Sequence, residues 1–202
     1  MRRKPVFPAL LLLLCLLAGC ADAGDTIRFR KVDSSLPASQ SASYELSLGN
    51  RVGGASVTAE LWLNGQCVSS TPVTLCADTP VLSMNFRVDG YGSGKDARGL
   101  DVQLETGEVS GSVLTHFELP EKVLGYSFTA YEDGKTIEVR PDEERILAAM
   151  AFDTGSGVRT VDCETLSADG TRLADYSCVL VIRADFTSER IEPQAEAPAV
   201  GA

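Results

Sequence analysis

Residues 57–65 read Val-Thr-Ala-Glu-Leu-Trp-Leu-Asn-Gly, and they decide the fold class of this chain. From 57 to 63, every odd-numbered position is apolar and every even-numbered position holds a polar residue or tryptophan. A period of two is typical of a β-strand with one face in a core. The Asn64-Gly65 pair that follows favours a tight hairpin turn, because both residues accept a positive φ angle. The stretch therefore predicts a strand that turns back to pair with an antiparallel neighbour.

The same alternation recurs at 82–88, 100–105 and 124–130. Turn signals separate these runs, namely Asp89-Gly90, Asp133-Gly134 and Asp169-Gly170, with prolines at Pro37, Pro72, Pro80, Pro120 and Pro141.

Residues 141–152 fit two patterns. Pro141 and the three acidic residues after it resemble a helix start, whereas apolar residues at alternate positions from Ile146 fit a strand. We favour a strand at 145–152. About ten or eleven short strands without a long helix then predict an all-β protein, an antiparallel β-sandwich of the immunoglobulin type or a related one.

The predicted β-sandwich region spans residues 25–186. Two small tandem β units that meet near Pro120 are an alternative arrangement. Residues 187–202 are rich in alanine, glutamate and proline and have no apolar period, so we expect a disordered C-terminal tail there.

The N-terminus has the parts of a secretory signal. A cationic cluster, Arg2-Arg3-Lys4, precedes an apolar stretch at 6–17, and small residues lead up to Cys20. The apolar stretch is shorter than the roughly 20 residues that a membrane-spanning helix needs. The sequence Leu17-Ala18-Gly19-Cys20 resembles the lipobox of bacterial lipoproteins, a likeness that covers only the first 20 residues.

The resemblance implies that residues 1–19 are a signal peptide that is cut off and that the Cys20 thiol receives a diacylglycerol. Residues 20–24 then form the lipidated N-terminus and a short linker. The partner is the lipid bilayer, at the extracytoplasmic face of the cell membrane. Ala21 replaces the aspartate of an inner-membrane retention signal, which implies the outer membrane in a Gram-negative cell. The alternative is an ordinary signal cut nearby, with Cys20 a bystander.

The charge of the mature chain restricts its partners. Without residues 1–19 the Lys and Arg count falls from 18 to 15 against 28 Asp and Glu, a net charge of about −13. Such a surface repels phosphate backbones, so we expect no nucleic-acid binding. No motif indicates a cofactor.

Four cysteines remain in the mature chain, an even number that is typical of disulfides in exported proteins. Cys67 and Cys76 flank Thr71-Pro72, and Cys163 and Cys178 flank the turn signal at 169–172. If both segments are hairpins, each pair faces across its turn, so we predict a disulfide within each pair. The alternative is four buried free thiols.

Three further residue patterns could supply chemistry. Asp153-Thr154-Gly155 after an apolar run resembles the catalytic loop of aspartic proteases, which would need a homodimer for its second carboxylate; a hairpin turn is the favoured interpretation. The loop at 89–96 nearly matches a phosphate-binding loop but has Asp89 and Asp96 at key positions. With Asp101 these could bind calcium, although a plain loop is favoured and we expect no metal site.

His116 is the one histidine of the chain, and no Gly-x-Ser-x-Gly motif accompanies it. A solvated histidine is therefore favoured over a nucleophilic triad. Trp62 with Tyr131 could form an aromatic binding platform, although packing against the sheet is the favoured role of Trp62.

These observations favour a non-enzymatic, membrane-anchored envelope lipoprotein that binds another envelope protein or a cell-wall polymer. One alternative is an envelope hydrolase, a dimeric aspartic-protease-like enzyme using Asp153. The other is a small-molecule-binding lipoprotein with a deep apolar pocket.

Overall fold

The structure is a computed structural model. It describes residues 26–31, 41–49, 51–76, 81–89, 98–106, 112–120, 123–155, 157 and 159–191. Several sequence-based expectations lie outside the described residues, namely the signal peptide at 1–19, Cys20 and its linker, most of the 89–96 loop and the predicted tail from 192 onward.

Strands dominate the described part of the chain. They are β1 (Thr26–Lys31), β2 (Ser41–Ser47), β3 (Gly54–Leu63), β4 (Gln66–Cys76), β5 (Val81–Asp89), β6 (Gly99–Thr106), β7 (Ser112–Glu118), β8 (Gly125–Ala130), β9 (Thr136–Glu138), β10 (Glu144–Asp153) and β11 (Cys178–Thr187). The helical elements are α1 (Cys163–Ala168) and a 3-10 helix at Gly170–Asp175. In the described ranges, none of the helices is long and apolar enough to span a membrane.

The strands form two antiparallel sheets that pack together, which confirms the all-β sandwich. The six-stranded sheet has the order β7-β6-β5-β2-β1-β9, and the five-stranded sheet has the order β4-β3-β11-β10-β8. Strands from both sides of Pro120 enter both sheets, because β9 joins the first and β3 and β4 join the second. The alternative of two tandem units is therefore wrong. Immunoglobulin domains have about seven to nine strands, so the broader sandwich class is what the structure supports.

The hairpin at 57–65 forms as the sequence indicates. Leu63 pairs with Gln66 across the turn, and both turn residues have positive φ, 49° at Asn64 and 78° at Gly65. A side chain at position 65 would lie 2.8 Å from the Cβ atom of Ala174. Glycine is therefore required there by the backbone conformation and by the close approach of the 3-10 helix.

The second predicted hairpin, at Thr71-Pro72, does not form. Both residues lie inside β4, where Pro72 pairs with Thr58 of β3. β4 is an edge strand, and an edge tolerates a proline whose missing N–H would face solvent. Cys67 and Cys76 are therefore nine positions apart on one extended strand, about 30 Å at roughly 3.3 Å per residue. A disulfide needs Cα atoms within about 7 Å, so the predicted Cys67–Cys76 bond is wrong.

The third predicted hairpin, around 169–172, does not form either. α1 and the 3-10 helix occupy this segment. Asp162 caps α1 by accepting a hydrogen bond from the Thr165 N–H at 2.6 Å, and the Asp169 carboxylate accepts one from the Thr171 N–H at 3.1 Å. Aspartates that signal turns also cap helices, because their side chains accept orphan backbone N–H groups. Cys163 begins α1 and Cys178 begins β11, and both thiols are free. The hairpin on which the predicted Cys163–Cys178 disulfide depended is therefore absent.

The two sheets differ on the sides that face away from each other. β10 pairs Ala149 with Val181 and Ala151 with Val179 of β11, and these four residues are at most 2% exposed. α1 lies against β10, and Leu166 of α1 and Leu173 of the 3-10 helix are buried. We call this side of the five-stranded sheet the covered face.

The opposite side of the molecule is the open face, the side of the six-stranded sheet that bears polar residues of β5, β6 and β7. Arg87 of β5 and His116 of β7 are exposed there over 79% and 55% of their side chains. Leu114 of β7 is 70% exposed on the same side. Solvent therefore reaches this sheet directly.

Candidate functional site

The Asp153 carboxylate closes a turn. Its Oδ1 accepts hydrogen bonds from the N–H groups of Gly155, at 2.8 Å, and Gly157, at 2.9 Å. Both glycines have positive φ, a conformation that L side chains rarely adopt. The motif therefore forms a turn, but not the predicted hairpin, because α1 and the 3-10 helix follow before the chain returns as β11. One carboxylate oxygen of Asp153 is therefore bound to the backbone of its own loop.

A shallow cleft of about 240 Å³ lies beside this turn, between the tip of the β3–β4 hairpin and the end of the 3-10 helix. Its polar lining is engaged in internal bonds. Arg159 Nη1 donates to the carbonyl oxygen of Asp175 at 2.8 Å, and the Tyr176 hydroxyl donates to that of Thr160 at 3.1 Å. Small-molecule pockets usually have about 300–1,000 Å³ and a mostly apolar lining. This cleft is smaller and more polar, and it does not favour the receptor alternative.

His116 belongs to a row of charges on the open face. Arg87, Asp101 and His116 are direct cross-strand neighbours on β5, β6 and β7. His116 Nδ1 lies 2.7 Å from Asp101 Oδ1, and Arg87 contacts the other carboxylate oxygen. Hydrogen bonds from His116 and Arg87 hold the pKa of Asp101 below its usual value.

A hydrolytic triad would need a serine next to His116. Ser112 of the same strand lies four positions away, with its Oγ accepting from Gln103 Nε2 at 3.4 Å. The row therefore has the character of a surface ion network. In the calcium hypothesis Asp101 would be a ligand, but its two carboxylate oxygens are bound to His116 and Arg87, and Asp96 lies outside the described residues. The described ranges hold no group of three or more His, Cys, Asp or Glu side chains that could bind a metal.

Trp62 and Tyr131 do not form a common platform. The Tyr131 ring is 7% exposed in the core and stacks on Phe29 with ring centres 4.5 Å apart. Trp62 is half-buried on the other side of the five-stranded sheet, where its Nε1 donates to Glu60 Oε2 at 2.8 Å. The hypothesis of a joint aromatic platform is wrong, because alternation along β3 turns Trp62 away from the core.

Trp62 is part of an ion network that the sequence analysis missed. Arg183 Nε donates to both oxygens of Glu60, at 3.1 and 3.2 Å, and its guanidinium lies 6.0 Å from the centre of the Trp62 ring. Its Nη1 reaches Glu144 Oε2 at 2.9 Å. Arg183 and Glu60 are only 17% and 15% exposed. The available signal was a charged residue directly flanked by apolar ones in each strand, at 60 in β3 and at 183 in β11.

The cysteines divide into buried and exposed thiols. Burial raises the pKa of Cys163 and of Cys178 to about 12, so both stay protonated and unreactive at neutral pH. Cys76 is also buried. Cys67 is exposed on β4, with its thiol 3.5 Å from the carbonyl oxygen of Ser69.

β4 presents an open edge of the five-stranded sheet. In the described part of the chain it pairs on one side only, with β3. Its first five residues, 66–70, are all exposed, and Val68 retains 54% of its accessible surface. None of its eleven residues is charged. The register shifts at Val68, which has no partner on β3, and Pro72 follows in the same strand. A bulge and a proline both limit pairing of an edge strand with another strand.

Comparison of the chain with protein-family models, curated proteins and solved structures finds no match. The function is therefore inferred from the residues and their geometry.

Proposed function

We propose that this protein is an exported lipoprotein, held at the extracytoplasmic membrane surface by acyl chains on Cys20, whose β-sandwich binds another envelope protein. The observation that carries the proposal is the order of features at the N-terminus. A cationic cluster, an apolar stretch too short to span a membrane and Leu17-Ala18-Gly19-Cys20 follow one another without interruption.

The acidic charge of the chain supports acyl chains as the anchor. The full chain has a formal charge of −10, which opposes binding to anionic headgroups. Each buried methylene of an acyl chain contributes about 0.8 kcal/mol, so two or three chains hold a protein stably.

A binding role is supported by what the candidate catalytic residues do. Asp153 fixes a turn through two backbone N–H groups, and His116 takes part in a charge row on an exposed sheet. Both arrangements give the side chain a structural partner. An enzyme using Asp153 is the competing proposal, and activity of a wild-type protein that an Asp153→Asn variant loses would support it.

Protein is favoured over cell-wall polymer as the partner. Sugar rings are commonly held by exposed aromatic rings, and Trp62 has its N–H bound to Glu60 and Arg183 near its ring. The large apolar side chains exposed in the described ranges are Val68, Leu114 and Leu124, all aliphatic. Aliphatic groups on strands suit contact with another polypeptide.

Metabolic labelling with a fatty-acid analogue tests the anchor. We expect label on the wild-type chain, and none on a Cys20→Ser variant, which leaves the membrane fraction if its signal is still processed. Cys67→Ser is the matched control, because it removes an exposed thiol from the sandwich and should keep the label. An unlabelled wild-type protein, or a Cys20→Ser variant that still takes up the label, would contradict the proposal.

A further inference from the structure

We propose that residues 161–175, which contain α1 and the 3-10 helix, form a lid that opens as one unit and uncovers part of the covered face while the β-sandwich stays folded. The inference goes beyond the proposed anchor and does not depend on lipidation.

The two ends of the lid are tied to each other at a neck. Arg159 Nη1 donates to the carbonyl oxygen of Asp175 at 2.8 Å, and the Tyr176 hydroxyl donates to that of Thr160 at 3.1 Å. The segment therefore closes on itself in the manner of an Ω-loop, a compact surface loop of about 6–16 residues whose ends lie close together. Such a neck lets the segment move away from the sheet without losing its own bonds.

Backbone hydrogen bonds of the lid begin and end within it or its cap. The Leu166 N–H donates to the carbonyl oxygen of Asp162, and the Asp169 N–H donates to that of Thr165. β10 and β11 are instead joined to each other by main-chain pairing along their length. The lid and the sheet beneath it are thus separate units of hydrogen bonding.

Side chains fasten the lid to the rest of the molecule. Ser167 Oγ accepts from the Ile146 N–H of β10 at 2.8 Å, and Glu164 pairs with Lys135 at 2.7 Å, where both side chains are about half exposed.

The lid has few buried residues. They are Val161, Cys163, Leu166 and Leu173. In β11, by contrast, only Arg183, Asp185 and Thr187 are not buried. A segment with few buried apolar contacts opens at a lower free energy than the strands that it covers.

Two buried thiols report separately on the lid and on the sandwich. Cys163 lies in the lid, whereas Cys178 lies in β11 and pairs with Leu63 of β3. Burial raises the pKa of both thiols to about 12, so each reacts when its surroundings open. The labelling rate of each thiol therefore follows the opening equilibrium of its own region.

Alkylation of the full-length protein with iodoacetamide under native conditions, with the sites read by peptide mass spectrometry, tests the lid. We expect Cys163 to react about tenfold or more faster than Cys178. Urea below the unfolding midpoint should accelerate Cys178 steeply and Cys163 only slightly, because opening the lid exposes less surface than unfolding does. Equal rates with equal urea dependence would overturn the inference.

Two matched leucine truncations supply the second measurement. Leu173 of the lid and Leu104 of β6 are each 1% exposed. Leu173→Ala removes a contact of the closed lid and should raise Cys163 labelling about tenfold or more. The contacts of Leu104 persist when the lid opens, so Leu104→Ala should accelerate Cys178 and leave Cys163 unchanged.

A Leu104→Ala variant that accelerates Cys163 as much as Leu173→Ala does would show that the segment opens only by unfolding, which would overturn the inference. If either variant does not fold, the urea dependence of the wild-type protein decides. None of these outcomes changes the fatty-acid labelling of Cys20, so the two proposals fail separately.

Discussion

The covered face of the five-stranded sheet and the open face of the six-stranded sheet are built from strands of similar length but opposite patterning. On the covered face, Ala149, Val179 and Val181 are at most 2% exposed although they point away from the other sheet. On the open face the corresponding positions hold charged and polar residues, such as Asp101 and Gln103. The difference shows that β10 and β11 are buried on both sides, whereas β5, β6 and β7 are buried on one side.

The physical reason lies in what covers each sheet. A strand buried on both sides has to be apolar at every position, whereas one buried on a single side alternates. α1 lies against β10, and the buried Leu166 of α1 and Leu173 of the 3-10 helix belong to the same apolar cluster as Val179 and Val181. The continuous apolar runs 146–152 and 179–182 therefore correspond to the two strands that are buried on both sides.

The largest loss of stability is expected from a substitution at Val181, on the covered face. Val181 is fully buried, so an aspartate there would bury an unpaired carboxylate on the covered face, at a cost of about 4 kcal/mol or more. Since whole domains are stable by only about 5–15 kcal/mol, Val181→Asp should give little folded protein.

Leu114→Asp is the control for that substitution, because it makes a similar change on the open face. It should alter the free energy of unfolding by no more than about 0.5 kcal/mol. Chemical denaturation followed by circular dichroism measures both, and comparable stabilities would show that the helical layer does not seal the covered face.

A medium effect is expected at the ion network beside the covered face. Glu60→Gln removes the charge that Arg183 contacts at 3.1 Å in a site where both side chains are mostly buried. We expect a loss of about 1–3 kcal/mol in the free energy of unfolding. Glu144 contacts the same arginine but is 61% exposed, so Glu144→Gln should cost about 0–1 kcal/mol. Urea titrations of the two variants compare them, and equal losses would mean that burial does not strengthen the inner contact.

The smallest effect is expected in the charge row of the open face. His116 and Arg87 lower the pKa of Asp101, so the folded state favours the carboxylate. The stabilisation is present above the unfolded pKa of about 3.9 and is lost as the pH falls through the lower folded value. Asp101→Asn should therefore cost less than about 1 kcal/mol at neutral pH, because the partners are well exposed.

In strong acid, where Asp101 of the wild-type protein is protonated in both states, the difference should vanish. Urea unfolding of both proteins across the acid range measures this. A gap that widens towards low pH would show that the row does not stabilise the carboxylate form.

The strands and the first hairpin were predictable because their signals are local. Alternation at 57–63 and Asn64-Gly65 report on neighbouring residues only, and the apolar residues from Ile146 correctly favoured a strand, which is β10. The helical layer was missed because α1 has only six residues, too few for an apolar period. Asp162 and Asp169 cap helices here, yet the same residue type also begins turns.

The candidate sites also divide into those with a local sequence signal and those that depend on which strands become neighbours. The turn role of Asp153 follows from a residue and two glycines within four positions, and it was the favoured interpretation. The separation of Trp62 from Tyr131 and the contact of Glu60 with Arg183, 123 positions apart, depend on which strands become neighbours. The Cys67–Cys76 prediction failed for the same reason. In the sequence Pro72 indicates a turn, and only the position of β4 at the sheet edge shows that a strand can contain it.

The sequence by itself determined that the chain is built of antiparallel strands, some buried on one side and some on both. Side-chain periodicity shows this because it is a property of consecutive residues. It also determined the lipobox-like N-terminus, which requires no fold. The tertiary structure decided which strands neighbour one another, which cysteines are buried and which edge is open. Those outcomes arise from contacts between residues far apart in the chain, whose energies no local pattern records.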